Sequence, residues 1–247
     1  IGVFDSGLGG LTVVKALKEL LPNESIVYFG DTARLPYGVK SKGLVKQFSK
    51  EIIKFLLEKN VKAVIVACNT ATAMALHSLK NEFINIPIIG VIEPGSEKAI
   101  VETITNKIGV IGTNATISSG AYEKSIKQKD SKIEIMSKAC PLFVPFVEEG
   151  LNNGSAINEI AKNYLSSFNN NVDTLILGCT HYPLLKDVII HNTENINLID
   201  SASSVAEVAY KVLSDHKLLS DKKNLGVLDC YVTDLPMRFE ELGNIFF

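Results

Sequence analysis

A chain of 247 residues, 46% apolar and 21% charged, is long enough for one large domain or two small ones, each with its own core. A net charge of -2 without any Lys/Arg cluster excludes a nucleic-acid footprint, and the longest apolar runs are strand-sized, so no membrane span is expected. Four widely spaced Cys with no C-x-x-C argue against a disulfide scaffold, a zinc ribbon or thioredoxin chemistry, and fit a reducing cytoplasm.

The chain opens on a strand, IGVFDSG, with no leader expected before it, and turns through the glycine-rich DSGLGG. Leu11, Val14, Leu17 and Leu21 then have helical spacing, stopped by Pro22. IVYFG is a second strand, followed by a polar turn holding Pro36 and Gly38. Leu44, Val45, Phe48, Ile52, Phe55 and Leu56 make an amphipathic helix over Lys40 to Lys59. VKAVIVA is a strand, Thr70 to Phe83 a helix, and IPIIGVIEPG a strand closing on a Pro/Gly turn. The pattern then restarts with the strand KIGVIG and a helix from about Ile117. There follow a short strand in KIEIMSKACP, helices in FVPFVEEG and SAINEIAKNYLSSF, the strand VDTLILG and a helix in HYPLLKDVII. INLID is a strand leading into an N-capped helix that runs to about His216, and LGVLDCYVTDLPMRFEELG reads as one more strand and a short helix.

Strands and helices that alternate throughout imply parallel sheets with helices on both faces. Gly2 in IGVFDSG matches Gly109 in IGVIGTN, and Cys68 in VIVACNT matches Cys179 in LILGCTH at a nearly equal offset. The expected fold is α/β: two pseudosymmetric three-layer α/β/α lobes with mostly parallel sheets, a cleft between them, and a tail that returns to the first lobe. The expected lobes are 1–94 plus 206–247, and 95–205. Asp5, Asp31, Cys68, Glu93, Thr113, Cys179 and Asp200 each end a predicted strand, and in parallel sheets such ends share the edge where ligands bind.

A free Cys is most often a small buried hydrophobe, and Cys140 and Cys230 are read that way. Cys68 and Cys179 differ, because each ends a strand, is followed by a polar residue and precedes a predicted helix, whose N-terminus favours thiolate. Two facing thiols, one deprotonated and one protonated, can take a proton from one side of a carbon and return one to the other. Asp5 beside the glycine-rich loop suits a substrate ammonium or a thiol better than a phosphate, and the loop lacks the Lys of a nucleotide P-loop. Asn69, Thr70, Thr113, Thr116 and Thr180 can cap helices and also hold a carboxylate. His181 is placed to tune Cys179 or relay its proton, and no second His stands at metal-binding spacing. Tyr37 and Gly38 form a turn; Glu148 and Glu149 default to surface solvation. His77, His191 and His216 receive no role. No Lys is set for a Schiff base.

The segments FDSGLGG, GDTARLPYG, ACNTATA, GVIEPG, GTNATI, CPLFVPFVEEG and GCTHYPLL, in order over nearly the whole chain, resemble the glutamate racemases of the aspartate/glutamate racemase superfamily. The resemblance implies two pseudosymmetric α/β lobes and interconversion of L- and D-glutamate without pyridoxal phosphate or other cofactor, the D isomer feeding peptidoglycan. It implies that Cys68 takes the α-proton from the D isomer and Cys179 from the L isomer. Asp5 and His181 each assist one thiol, and Glu148 supports the His side. Substrate contacts fall at Asp5, Ser6, Tyr37, Gly38, Asn69, Thr70, Thr180 and His181. A homodimer is implied too. The tail departs from the family, with TDLP where a T-G-D-P-like turn is usual. Rival readings are the same chemistry on aspartate, a non-catalytic amino-acid-binding protein with this cleft, and a thiol redox protein.

Overall fold

A computed structural model of the protein describes residues 1–234 and 243. The first half runs β1 (Gly2–Asp5), α1 (Leu11–Leu20), β2 (Ile26–Gly30), α2 (Lys42–Glu58), β3 (Val64–Val66), α3 (Asn69–Glu82), β4 (Ile88–Gly90) and α4 (Ile92–Glu102). The second runs β5 (Lys107–Gly112), α5 (Asn114–Ser118), α6 (Ala121–Lys129), β6 (Glu134–Ala139), α7 (Phe143–Glu148), α8 (Ser155–Leu165), β7 (Thr174–Gly178), α9 (Lys186–His191) and β8 (Asn197–Ile199). Then come α10 (Ser201–Asp215) and β9 (Leu228–Val232).

The strands form two sheets, ordered β4-β3-β1-β2-β9 and β6-β5-β7-β8, with every neighbouring pair parallel. Read from opposite ends, β4-β3-β1-β2 and β8-β7-β5-β6 are one connectivity used twice, which is the duplication that the matched Gly and Cys positions pointed to. The addition is β9, which returns to pair with β2.

Continuous apolar runs are needed because each sheet is covered on both faces. Successive residues of β1 show it: Val3 packs with Leu11, Val14 and Leu17 of α1 and Val205 and Ala209 of α10, while Phe4 packs with Ile53 and Leu56 of α2 and Ala71 and Ala75 of α3. In the second sheet Leu175 and Leu177 face α8 through Ala161 and Leu165, while Ile176 faces α6 through Tyr122 and Ile126. Each lobe is therefore a three-layer α/β/α sandwich. Among the described residues no helix is long and apolar enough to cross a membrane.

Three elements differ from the sequence expectation. GVIEPG is no turn: Pro94 and Gly95 lie in the first turn of α4, where a proline costs nothing because that N–H has no helical partner. Glu93 consequently ends no strand; it is exposed on α4 and pairs with Lys129. The helix expected from about Ile117 begins at Asn114, capped by Thr113. HYPLLKDVII divides into a 3-10 turn, Tyr182–Leu185, and then α9, so Cys179 does not abut an α-helix. The short helix read into the tail, and Leu235 and Pro236 of TDLP, lie outside the described residues.

Candidate active site

The carboxyl ends of β1, β3, β5 and β7 bring one residue set together. Cys68 stands two residues past β3 and is the N-cap of α3: its Sγ accepts the Ala71 N–H at 3.4 Å and lies 3.6 Å from the Ser6 hydroxyl. Burial pushes the Cys68 thiol up to about 12, and the neighbouring Asp5 charge adds to this against both hydrogen bonds. The helix end was expected to favour thiolate here. Desolvation outweighs it, and Cys68 holds its proton.

Cys179 directly follows β7, and its surroundings are different. Its Sγ lies 3.8 Å from Nδ1 of His181, whose Nε2 is hydrogen-bonded to Oε1 of Glu148 at the end of α7. His181 is fully buried, which by itself lowers its pKa; the bonds and charges of Cys179 and Glu148 outweigh that and hold it well above the ordinary imidazole range. Glu148, the His181 imidazolium and the Cys179 sulfur are thus linked in series.

Asp5, fully buried at the end of β1, accepts the Gly7 N–H at 2.9 Å and the Thr180 hydroxyl at 3.2 Å. Burial raises its pKa, opposed by the His181 charge and these hydrogen bonds. Asp5 therefore acts on the cleft through Thr180 and through its charge.

Three hydroxyls from the two lobes form a closed triangle: Thr70 of α3 is 2.9 Å from Thr113 and 3.1 Å from Thr116, which are 3.0 Å apart. Thr113 also caps α5. Gly38, in a 3-10 turn over Tyr37–Val39, lies against Thr113 so closely that a Cβ there would stand 2.6 Å from the Thr113 Cβ. The Tyr37 ring lines the cleft while its hydroxyl donates to Asp31 at 2.5 Å.

Ser6, Tyr37, Gly38, Cys68, Asn69, Thr70, Thr113, Cys179, Thr180 and His181 all line one narrow cavity of about 20 Å³, room for about one water. Of the remaining sequence candidates, Asp5 and Glu148 reach it through Thr180 and His181, and Thr116 through the triangle. Leu35, Pro36 and Val144 also line it; none was singled out in the sequence as a site residue, since apolar wall residues look like any others. The larger groove, about 710 Å³ beside β4, α4 and α10, contains none of these residues. Cys140 and Cys230 lie outside the cavity, and all four thiols are free.

Two parallel α/β lobes that close on a thiol from each define a racemase, an isomerase. Comparison with known proteins agrees. Residues 1–209 match the family described as Asp/Glu/Hydantoin racemase. The glutamate racemase of Aquifex aeolicus is 50% identical over 98% of this chain and 91% of its own length. Among solved structures, the Francisella tularensis glutamate racemase in complex with D-glutamate superposes with a TM-score of 0.93 at 44% identity, covering 99% of this chain and 92% of that one. Glutamate racemase isoform RacE1 of Bacillus anthracis superposes at 0.94 and 41%, with the same coverage. The chain belongs to the glutamate racemases of the Asp/Glu/hydantoin racemase family.

Proposed function

We propose that this protein interconverts free L- and D-glutamate by moving protons between the α-carbon and two thiols, supplying D-glutamate for peptidoglycan. The observation that carries the proposal is that one thiol from each lobe lines a single narrow cavity and that the two have different proton partners. In the L-to-D direction the Cys179 sulfur, beside the His181 imidazolium, accepts the α-proton. The C–H bond breaks, and its electron pair is held by the α-carbon and the adjoining carboxylate. The Cys68 thiol then gives its proton to the opposite face. The reverse reaction exchanges the two roles. Backbone N–H groups at the start of α3, and the hydroxyls of Thr70 and Thr113 once they exchange one another for substrate, are donors for charge developing on the carboxylate. A cleft filled by substrate excludes water and keeps the proton from being lost in transit.

The lobes proposed are 1–94 with 206–247, and 95–205, consistent with the sheets. Homodimerisation, tested by sedimentation, and a cytoplasmic setting complete the proposal. The substrate follows the relatives named above, of which the Francisella enzyme holds D-glutamate.

The test is incubation with L-glutamate, and separately L-aspartate, in D2O without added cofactor, following optical rotation and the α-proton signal. Loss of rotation with deuterium entering glutamate is expected. Cys68→Ser should lose α-proton exchange from the D isomer and Cys179→Ser from the L isomer, each by roughly 10²–10⁴-fold. Reaction of aspartate alone would overturn the substrate, and reaction of neither would overturn catalysis.

A further inference from the structure

Tyr122 of α6 has no part in the mechanism above, yet it stands behind both thiols at once. Its hydroxyl, from the second lobe, accepts the side-chain N–H of Asn69 at 2.7 Å, across to the residue that follows Cys68. The same hydroxyl is 3.4 Å from Oγ of Ser201, the first residue of α10. Having accepted from Asn69, it has its own hydrogen left for Ser201. The ring of Tyr122 also backs Gly178, the residue before Cys179: a Cβ at Gly178 would stand 3.0 Å from the ring carbon Cε2. Asn69 and Tyr122 are each 3% exposed, so neither can exchange this bond for one to bulk water. Burial raises the Tyr122 hydroxyl to about 12, against its bonds to Ser201 and Asn69, which keeps it a neutral phenol.

An Asn carboxamide is nearly symmetric in shape, so a partner must decide which end faces the cavity. We propose that Tyr122 is a positioning residue that holds the Nδ2 end of the Asn69 carboxamide and so leaves Oδ1 to accept from the substrate ammonium, with Ser201 as the acceptor that orients Tyr122 in turn. The proposal rests on the reading of Asn69 as a substrate contact. It assigns Tyr122 no contact with glutamate, and its action passes entirely through Asn69.

The test is a double-mutant cycle of Tyr122→Phe and Asn69→Ala, with KM and kcat measured for both isomers. Tyr122→Phe keeps the ring against Gly178 and removes only the hydroxyl. The expected result is a KM roughly tenfold higher for both L- and D-glutamate, the effect of one buried hydrogen bond, with kcat changed much less. In the Asn69→Ala background, Tyr122→Phe should add nothing. Ser201→Ala, which leaves the tyrosine in place, should raise KM by a smaller factor in the same direction and serves if Tyr122→Phe fails to fold. An unchanged KM in Tyr122→Phe, a normal KM in Asn69→Ala, or equal effects of Tyr122→Phe in both backgrounds would overturn the inference. The last of these would leave the tyrosine a merely structural role. Racemisation by the unsubstituted protein alongside any of these results would leave the proposed function standing. No racemisation by the unsubstituted protein would overturn both.

Discussion

His181 lies between a thiol and a carboxylate, and its proton belongs to the Cys179 side of the cleft. A group whose pKa is raised on folding adds stability below its ordinary value of 6.5, and that contribution is lost as pH rises through the folded value. The same proton is needed in the D-to-L direction, where the Cys179 side must reprotonate the carbon. Glu148→Gln removes one of the two groups that raise His181. The alkaline limb of kcat/KM for D-glutamate should therefore move to lower pH by about one unit. A pH–rate profile of the variant checks it, and an unmoved limb would sink the assignment of Glu148. That carboxylate was hard to find in sequence. EEG at the end of a six-residue helix looks like a solvated surface, and nothing local announces that the side chain meets a histidine 33 residues further on. Cys68 and Cys179 were legible because duplication supplied an internal control that a single motif lacks. Their unlike partners were only partly legible: His181 is near Cys179 in the sequence, whereas Ser6 reaches Cys68 from the end of another strand.

The elements that place these residues are held by a few local devices. The turn over Tyr37–Val39 approaches α5 through Gly38. Gly38→Ala forces a methyl into Thr113 and should push the turn off α5. KM is expected to rise more than kcat falls, with thermal stability lower by about 1–3 kcal/mol; steady-state kinetics and a melting curve read both. The link from α4 to β5 depends on Asp173, which accepts the Thr103 hydroxyl and the backbone N–H groups of Ile104 and Thr105, at 2.7, 2.7 and 2.6 Å. Desolvation works against the charge, but these bonds lower its pKa from 3.8 to about 2. A depressed carboxylate stabilises above 3.8 and loses that contribution as pH falls towards 2. Asp173→Ala should cost about 1–2 kcal/mol at neutral pH, and the difference in melting temperature from the unsubstituted protein should shrink below pH 3.8 and vanish as pH falls through about 2. A gap that persists there would rule out the charge as its source. Strand positions and most helices were readable from apolar periodicity, because both sheets are covered on both faces. α4 was not, because Pro94 and Gly95 look like a turn. Gly95 is required by a close approach that only the tertiary structure creates: a Cβ there would stand 2.6 Å from the Ser201 hydroxyl.

At the scale of the whole molecule, the cavity between the lobes admits about one water and no amino acid. Glutamate is larger, so its binding is expected to go with a wider arrangement of the lobes. Cys68 and Cys179 are 5% and 7% exposed, whereas Cys230 is exposed. An alkylating reagent should therefore modify Cys230 without waiting for the lobes to part. It should reach Cys68 and Cys179 only through opening, at a rate that glutamate lowers by holding the lobes together. Mass spectrometry of the modified chain, with and without glutamate, reads each site separately. Equal protection of Cys230 would point to a general effect and against closure.

The return of the tail also has a consequence in time. The sheet β6-β5-β7-β8 has all its strands once residue 199 has been made, whereas β9, the outer strand beside β2, lies at 228–232. A ribosome adds residues from the N-terminus, and domains fold as units when their parts are available. The half of the molecule that is begun first is thus the half that is finished last, built around a partner already able to fold.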